Sequence, residues 1–181
     1  MDEKRKTKIS KFLSLILRHK PETIDLKLDE NGWADVNELL EKSAQNGNAF
    51  SRQELQAVVE TNDKKRFTFD DSGEKIRASQ GHSVIVEIGF EEKIPPETLY
   101  HGTAEKAVES ILQNGLRKMQ RHHVHLSADT ETAKNVGIRY GKPVIFKIDT
   151  KKMLEAGFTF FISANGVWLV TEVPPEFLEI L

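Results

Sequence analysis

The segment EEKIPPE, residues 91–97, divides the chain into two parts whose apolar residues follow different spacings. Its two prolines and clustered charges interrupt both helical and strand patterns. Helical spacing dominates before this segment, whereas short β-branched and aromatic runs alternate with helical segments after it. The chain of 181 residues is long enough for two small domains. We therefore expect an α+β protein of two lobes, with residues 1–90 in the first and 96–181 in the second.

Three helices followed by a hairpin are predicted in the first part. From Ile9 onward, apolar residues recur at i, i+3, i+4, i+7 and i+8, so one helix should run to about Arg18. Asp35 and Ser51 each precede a helical pattern and have a glutamate three residues later, as helix N-caps often do. Residues 65–79 alternate, turn and return, which predicts the hairpin. These elements are typical of a winged helix, a fold that often binds nucleic acid, although a fold alone does not establish function.

Strands and helices alternate in the predicted second part. Strands are expected over 98–103, 124–129, 143–149, 158–163 and 166–173, which are rich in β-branched and aromatic residues. One helix is expected over 104–116 and ends at Gly115. Its apolar face would consist of Val108, Ile111 and Leu112. A second helix is expected over 130–141, with Asp129 as its N-cap, so this part should be α+β.

The stretch RHHVHLSAD, residues 121–129, holds three of the six histidines of the chain. If it is a strand, Val124 and Leu126 point to the core, and His122 joins their side. The opposite face then carries a cation, two imidazoles and a hydroxyl, from Arg121, His123, His125 and Ser127.

Three interpretations of this polar face follow from the residues themselves. A zinc site could use the two histidines with His101, but no acid or cysteine lies nearby in sequence and the arginine opposes a dication. An exposed polar strand face needs no ligand. An anion or nucleotide pocket could use Arg121 for phosphate and a histidine for ribose hydroxyls. The rest of the chain must distinguish among them.

The composition excludes several classes of site. The chain has no cysteine, so disulfides, thiolate metal sites and cysteine nucleophiles are excluded. Its net charge is −2, so contacts with nucleic acid must come from local basic clusters, at 4–11, 64–66 and 117–121. It lacks an apolar run long enough to span a membrane. We therefore expect a cytoplasmic protein with no membrane partner.

Seven segments of the chain occur in the order found in one known family. They are SKFLSLILRHKP, LDENGWADVNELL, DKKRF, IRASQGHS, LYHGT, HVHLSAD and NGVWL, and together they span nearly the whole chain. In combination they resemble the RNA 2′-phosphotransferase family. The resemblance implies an N-terminal winged-helix lobe that binds RNA and phosphate. It also implies a C-terminal ADP-ribosyltransferase-like lobe that binds NAD, with a central cleft between the lobes.

The resemblance also implies a reaction. The internal 2′-phosphate of RNA, such as that of a tRNA splice junction, would pass to NAD. The products would be RNA with a 2′-hydroxyl, ADP-ribose 1″,2″-cyclic phosphate and nicotinamide. The reaction would pass through an RNA phosphate that carries ADP-ribose. NAD would be a co-substrate, 2′-phosphorylated RNA the other partner, and no metal would be needed; we expect a monomer.

Three groups of site residues follow from the family's motifs. The catalytic, phosphate-handling group is Arg18, His19, Arg66 and Arg121. The NAD-binding group is His101, Gly102, Thr103, His125, Leu126, Ser127 and Val167. The RNA-binding group is Lys20, Arg77, Gln80 and His82. His122 and His123 match no role in the family's pattern.

Other NAD-using proteins differ from this sequence in two respects. Toxin-type ADP-ribosyltransferases often carry a glutamate where this chain has the apolar Val167, which argues against ADP-ribosylation of protein. There is also no G-x-G-x-x-G motif, so NAD would not be held in the Rossmann manner. Two alternatives stand beside the main hypothesis. An ADP-ribosyltransferase acting on terminal phosphates of nucleic acids would leave its product ADP-ribosylated, and a non-catalytic winged-helix module would bind RNA without consuming NAD.

Overall fold

The computed structural model describes residues 1–62 and 64–181. Asp63, the first residue of the DKKRF segment, lies outside the described residues. Helices and strands occur in both parts of the chain, so the mixed helix-and-strand composition predicted from the sequence is confirmed. The chain divides into two compact units, Met1–Gly89 and Phe90–Leu181.

The predicted helices of the first unit are confirmed. They are α1 (Glu3–Arg18), α2 (Val36–Gln45) and α3 (Arg52–Glu60). The Asp35 carboxylate caps α2 by accepting a hydrogen bond from the Glu38 backbone N–H at 2.9 Å. Ser51 and Glu54 form a reciprocal capping box at the start of α3. These caps are local, because each joins residues only three positions apart.

A three-stranded antiparallel sheet accompanies these helices. Its strands are β1 (Ala34–Asp35), β2 (Phe67–Phe69) and β3 (Lys75–Ala78), in the order β1-β3-β2. The predicted hairpin is β2–β3, whose turn contains Gly73 at a φ of 72°. Helices and sheet enclose a core in which Leu13, Ile16, Leu39, Leu55 and Ile76 are fully buried. These elements agree with the predicted winged helix, but the assignment to that fold stays a prediction.

In the second unit, all of whose residues are described, nine strands form three sheets. The strands are β4 (Glu91–Glu92), β5 (Thr98–Ala104), β6 (Leu116–Arg117), β7 (Val124–Leu126), β8 (Pro143–Asp149), β9 (Phe161–Ile162), β10 (Trp168–Val170), β11 (Glu172–Val173) and β12 (Leu178–Ile180). The sheets have the orders β4-β9-β10-β7, β12-β8-β5 and β11-β6. A single bridge between Tyr100 and Ser127 connects β5 to the residue after β7.

Several strands are shorter than the sequence predicts. The expected strand over 124–129 is limited to Val124–Leu126, and the stretch from Arg121 to His123 bends outside it. Strand β9 is limited to two residues, and the expected strand over 166–173 divides into β10 and β11. It divides because β10 pairs with β7 whereas β11 pairs with β6 in another sheet. The buried positions of Val124 and Leu126 agree with the prediction.

The second unit has three short helices. They are α4 (Val108–Asn114), α5 (Thr130–Gly137) and α6 (Thr150–Glu155). Asp129 caps α5 as predicted, whereas α6, capped by Asp149, was not predicted. Of the predicted apolar face of α4, Ile111 packs partly buried against the core of this unit, whereas Leu112 is 46% exposed. Helix α4 makes only two turns, and none of its residues is fully buried.

None of the helices found among the described residues is long and apolar enough to cross a membrane.

Candidate functional site

The C-terminal end of α1 carries the predicted Arg18–His19 pair. Arg18 is the last helical residue, and the backbone N–H of His19 donates to the Leu15 carbonyl at 3.0 Å. Cationic side chains are favoured there by the negative end of the helix dipole. The helix stops because Pro21 lacks a backbone N–H and begins a separate 3-10 helix. The pair is therefore fixed by the end of a helix, with Arg18 partly buried and His19 exposed.

Ser83 contacts this helix end from a segment far away in sequence. Its hydroxyl lies 3.0 Å from His19 Nδ1, and its backbone N–H donates to the Arg18 carbonyl at 2.8 Å. The carbonyls of a last helical turn need such partners, because no later helical N–H reaches them. Ser83 is not among the predicted site residues. It is the last residue of the IRASQGHS segment, which is the signal that could have identified it.

Arg66 lies close to the same helix end. Arg18 Nη2 donates a long hydrogen bond, 3.4 Å, to the Arg66 carbonyl. The Arg18 guanidinium also lies 5.8 Å from the centre of the Phe67 ring. Arg66 Nη1 donates to Asn62 Oδ1 at 3.3 Å. The first unit therefore brings together the three predicted phosphate-handling residues that it contains.

The four residues predicted to bind RNA lie in different environments. Lys20 is exposed and Gln80 is partly buried. The Arg77 guanidinium stacks on the Trp33 ring at 4.4 Å, and burial lowers the pKa of Arg77. The His82 ring is only 3% exposed. Arg77 and His82 are thus packed by the protein itself, and an RNA-binding role for all four residues stays a prediction.

In the second unit, His101 on β5 is held by a hydrogen bond that fixes its tautomer. Its Nδ1 lies 3.1 Å from the backbone carbonyl oxygen of His125. A carbonyl only accepts, so Nδ1 carries the proton and, in the neutral ring, Nε2 is an acceptor. Burial lowers the pKa of His101, and the positive charge of Arg121 lowers it further, although the bond to His125 opposes both. The neutral ring is therefore favoured near pH 7.

For His125 on β7, the hydrogen-bond partner favours the opposite tautomer. Arg121 Nη1 lies 3.3 Å from His125 Nδ1. A guanidinium only donates, so Nδ1 is the acceptor and Nε2 carries the proton in the neutral ring. In the neutral forms, Nε2 of His101 therefore accepts a hydrogen bond and Nε2 of His125 donates one. The two residues are connected by the hydrogen bond between His101 Nδ1 and the His125 carbonyl. This combination suits hydroxyl groups, which both donate and accept hydrogen bonds.

Gly102 has a packing requirement of its own. A Cβ at this position would lie 1.6 Å from the carbonyl oxygen of Ala133 in α5, which is far too close. Glycine is therefore needed for β5 and α5 to pack, whatever else it contacts. Thr103, the next residue, is partly buried. A role for either residue in binding NAD stays a prediction.

Three further residues are predicted to bind NAD, and they are Leu126, Ser127 and Val167. Leu126 is buried in the core of the second unit. The Ser127 N–H donates to the Tyr100 carbonyl at 2.8 Å and the Tyr100 N–H to the Ser127 carbonyl at 2.9 Å. Val167 is tied at both backbone groups to Ser163, at 2.9 Å and 3.0 Å. Their roles toward a ligand also stay predictions.

The zinc interpretation of RHHVHLSAD finds no support. No group of three or more histidine, aspartate or glutamate side chains among residues 1–62 and 64–181 is placed to hold a metal ion. His123 packs instead against the rings of Phe90 and Phe161. The anion or nucleotide pocket and the exposed polar face both stay open as interpretations of this stretch.

Residues 4–172 match the sequence pattern of a family described as RNA 2'-phosphotransferase, Tpt1 / KptA family. The chain belongs to the RNA 2′-phosphotransferase family. A protein of Trichormus variabilis named "Probable RNA 2'-phosphotransferase" is 55% identical over 181 residues, which is the full length of both chains. A Flavobacterium johnsoniae protein of the same name is 56% identical over 179 residues, 99% of this chain and 98% of the relative. One from Streptomyces griseus subsp. griseus is 52% identical over 185 residues, 98% of each chain.

The RNA 2′-phosphotransferase pattern covers every predicted site residue. The first of them is Arg18 and the last is Val167, and both lie within the matched residues 4–172. The resemblance inferred from the seven sequence segments is therefore confirmed. The hydrogen bonds of Arg18, His19, His101 and His125 add the local geometry that the sequence did not contain.

Proposed function

We propose that this chain transfers the internal 2′-phosphate of RNA to NAD, and that the RNA is of the kind left by tRNA splicing. Membership of the RNA 2′-phosphotransferase family supports the removal of a 2′-phosphate from RNA. The observation that supports NAD as the acceptor is the hydrogen-bonded set of His101, His125 and Arg121 in the second unit. It places two imidazoles, whose neutral forms have opposite tautomers, in one hydrogen-bonded set with a guanidinium.

The phosphate is assigned to Arg18, His19, Arg66 and Arg121. A phosphate monoester is a dianion, and removing it from water requires matching positive charge with directional donors. Arginine suits this task because its planar guanidinium donates two parallel hydrogen bonds to phosphate oxygens. The contact between Arg18 and the Arg66 backbone holds two of these cations in one region of the first unit.

The ribose hydroxyls of NAD are assigned to His101 and His125. The Nε2 of His101 would accept a hydrogen bond, and the Nε2–H of His125 would donate one. NAD supplies a nicotinamide that leaves C1″ of its ribose without help from a metal. The residues of this chain then need only orient the reactants and stabilise charge.

The proposed reaction has two steps, linked by an RNA phosphate that carries ADP-ribose. In the first step a phosphate oxygen bonds to C1″ as nicotinamide leaves. In the second step O2″ of the same ribose loses its proton and attacks phosphorus, and the RNA 2′-oxygen departs and gains a proton to become a 2′-hydroxyl. Charge gathers on the phosphate oxygens as phosphorus becomes five-coordinate, and arginines aimed at those oxygens stabilise that state more than the reactants.

An assay with defined RNA tests this proposal. The protein is mixed with NAD and an oligoribonucleotide that carries one internal 2′-phosphate, with and without EDTA. We expect a 2′-hydroxyl RNA and ADP-ribose 1″,2″-cyclic phosphate in both samples, and no phosphate removal without NAD. A product that stays ADP-ribosylated would favour the alternative transferase, and RNA binding without consumption of NAD would favour the non-catalytic module.

Two nearby arginines provide a matched pair of variants. Arg121→Ala should lower kcat/KM by roughly 100- to 1000-fold, the usual loss when a charge-stabilising donor is removed. Arg117, four positions earlier at the end of β6, is exposed and lies 3.8 Å from Glu172. Arg117→Ala removes the same charge from this part of the chain but should leave activity near wild type. Equal losses in both variants would show that only the general positive charge of this segment matters.

A further inference from the structure

His123 has no part in the proposed reaction, yet two aromatic rings hold it. Its ring centre lies 5.6 Å from that of Phe90 at an angle of 85°, and 5.7 Å from that of Phe161 at 60°. Both are edge-to-face arrangements, in which the positive edge of one ring meets the negative face of another. We call these three rings the aromatic clasp.

The aromatic clasp lies across the face of the four-stranded sheet that carries His125. His125, Leu169 and Phe161 stand opposite one another on β7, β10 and β9. Residues directly opposite in antiparallel strands point to the same face. Strand β7 is at the edge of this sheet. His123 therefore joins the start of an edge strand to β9, two strands away, and Phe90 adds the segment that leads into β4.

Along the chain, His123 stands between Arg121, assigned to the phosphate, and His125, assigned to NAD. The Arg121 N–H donates to the Lys118 carbonyl at 3.0 Å and closes a tight turn. Met119 in this turn is 85% exposed and has a φ of 54°, a backbone conformation that is costly for residues other than glycine. His123 follows the turn by two residues and precedes His125 by two. A side chain fixed at this point restricts the turn on one side and the strand on the other.

The contact between Arg121 and His125 closes the same segment of chain. Their side chains meet at 3.3 Å, a distance at the long end for a hydrogen bond between nitrogens. The two residues are four positions apart with His123 midway between them. A small rotation of the chain at His123 would therefore separate them.

A different explanation would make His123 an acid or a base. Burial lowers the pKa of His123, and the charges of His122 and Lys118 lower it further. A neutral ring packed between two phenylalanines acts through its shape, and phenylalanine has nearly the same shape. The two explanations therefore predict different results for a phenylalanine at this position.

We infer that His123 is a positioning residue, whose aromatic clasp holds the segment from Lys118 to His125 so that Arg121 and His125 act together. The inference rests on the proposed function, because it adopts the roles proposed there for Arg121 and His125.

The test compares His123→Phe with His123→Ala in the NAD-dependent removal of an internal 2′-phosphate. The alanine variant removes the aromatic clasp, and kcat/KM should fall by roughly 10- to 100-fold, as expected when reacting groups are misplaced. The phenylalanine variant keeps the ring contacts and should stay close to wild type. Equal losses in both variants would show that the imidazole itself is needed, and wild-type activity in both would show that the clasp has no positioning role. Either result overturns the inference.

Phe90→Leu extends the test to a variant that removes one ring without changing a histidine. Like His123→Ala, it should lower kcat/KM. The double variant, which combines Phe90→Leu with His123→Ala, should lose less activity than the product of the two single losses. Independent, multiplicative losses would overturn the inference. The Phe90→Leu single variant tests the clasp even if His123→Ala proves unstable, and wild-type activity in it would overturn the inference.

An NMR measurement separates failure of this inference from failure of the proposed function. The ring nitrogens of His125 report its tautomer, which the contact with Arg121 fixes. The wild-type signals should persist in His123→Phe and change in His123→Ala, whether or not the protein acts on RNA. Unchanged signals in His123→Ala would overturn the inference, whereas an inactive wild type with the expected signals would overturn only the proposed function.

Discussion

The hydrogen-bond partners of His101 and His125 determine which ring nitrogen carries the proton, because one partner can only accept a hydrogen bond and the other can only donate one. The carbonyl oxygen facing His101 cannot donate, and the Arg121 guanidinium facing His125 cannot accept. In their neutral forms the two rings therefore hold their protons on different nitrogens, His101 on Nδ1 and His125 on Nε2. At the scale of single residues, this opposition is the main reason to assign ribose hydroxyls to them.

The tautomers can be measured by long-range nitrogen–proton NMR at about pH 8, where ordinary imidazoles are neutral. His101 should show a protonated Nδ1 and an unprotonated Nε2, and His125 should show the reverse. Arg121→Ala is the control: it should release the preference of His125 and leave that of His101 intact. The same tautomer in both wild-type rings would contradict the structure on which the NAD assignment depends.

The helices and strands that could be predicted from sequence are those whose ends are fixed by contacts between residues close together in the chain. Helices α2 and α3 follow from caps that join residues three positions apart. Strand β12 was missed, because Leu178–Ile180 is a strand only through its pairing with β8, some thirty residues earlier. Helical spacing placed Leu112 on the apolar face of α4, but spacing does not tell how much of a short helix the core covers, and Leu112 is exposed.

Gly115 between α4 and β6 gives a prediction at this scale. Its φ of 74° and ψ of −174° are accessible to glycine almost alone, and a Cβ would lie 2.2 Å from the Val173 carbonyl oxygen. Gly115→Ala should lower the free energy of unfolding by about 3 kcal/mol or more, since backbone strain and the clash add together. Gly47 has the same φ of 74° with nothing within 4 Å of its Cβ, so Gly47→Ala should cost only about 1–2 kcal/mol. Urea denaturation measures both, and equal losses would show that the Val173 contact is unimportant.

Across the whole molecule, the seven sequence segments predicted the family and most of the candidate site, but not its hydrogen bonds. Ser83 contacts His19 across 64 positions and His125 contacts His101 across 24, and no spacing rule connects residues so far apart. The aromatic clasp likewise joins residues of three separate segments. Resemblance predicted the candidate side chains, and tertiary structure determined which of them meet.

The stability of the whole chain should depend on pH through two of its histidines. The folded protein lowers the pKa of both His101 and His123, chiefly by burial. The unfolded chain therefore binds protons first as pH falls through about 6.5, the ordinary histidine pKa. Stability should decrease across that range and level off only below the folded-state pKa values. One histidine contributes at most about 1.4 kcal/mol per pH unit, because the two states differ by no more than one proton.

Urea denaturation at several pH values from about 7.5 to 5 measures this dependence. His101→Gln keeps a donor for the His125 carbonyl, and His123→Phe keeps the aromatic clasp, so both remove a titrating group while preserving its contacts. The double variant should lose less stability than wild type as pH falls, and each single variant should lie between them. Curves parallel to that of wild type would mean that other groups cause the acid sensitivity, and that burial of these two rings does not favour their neutral forms.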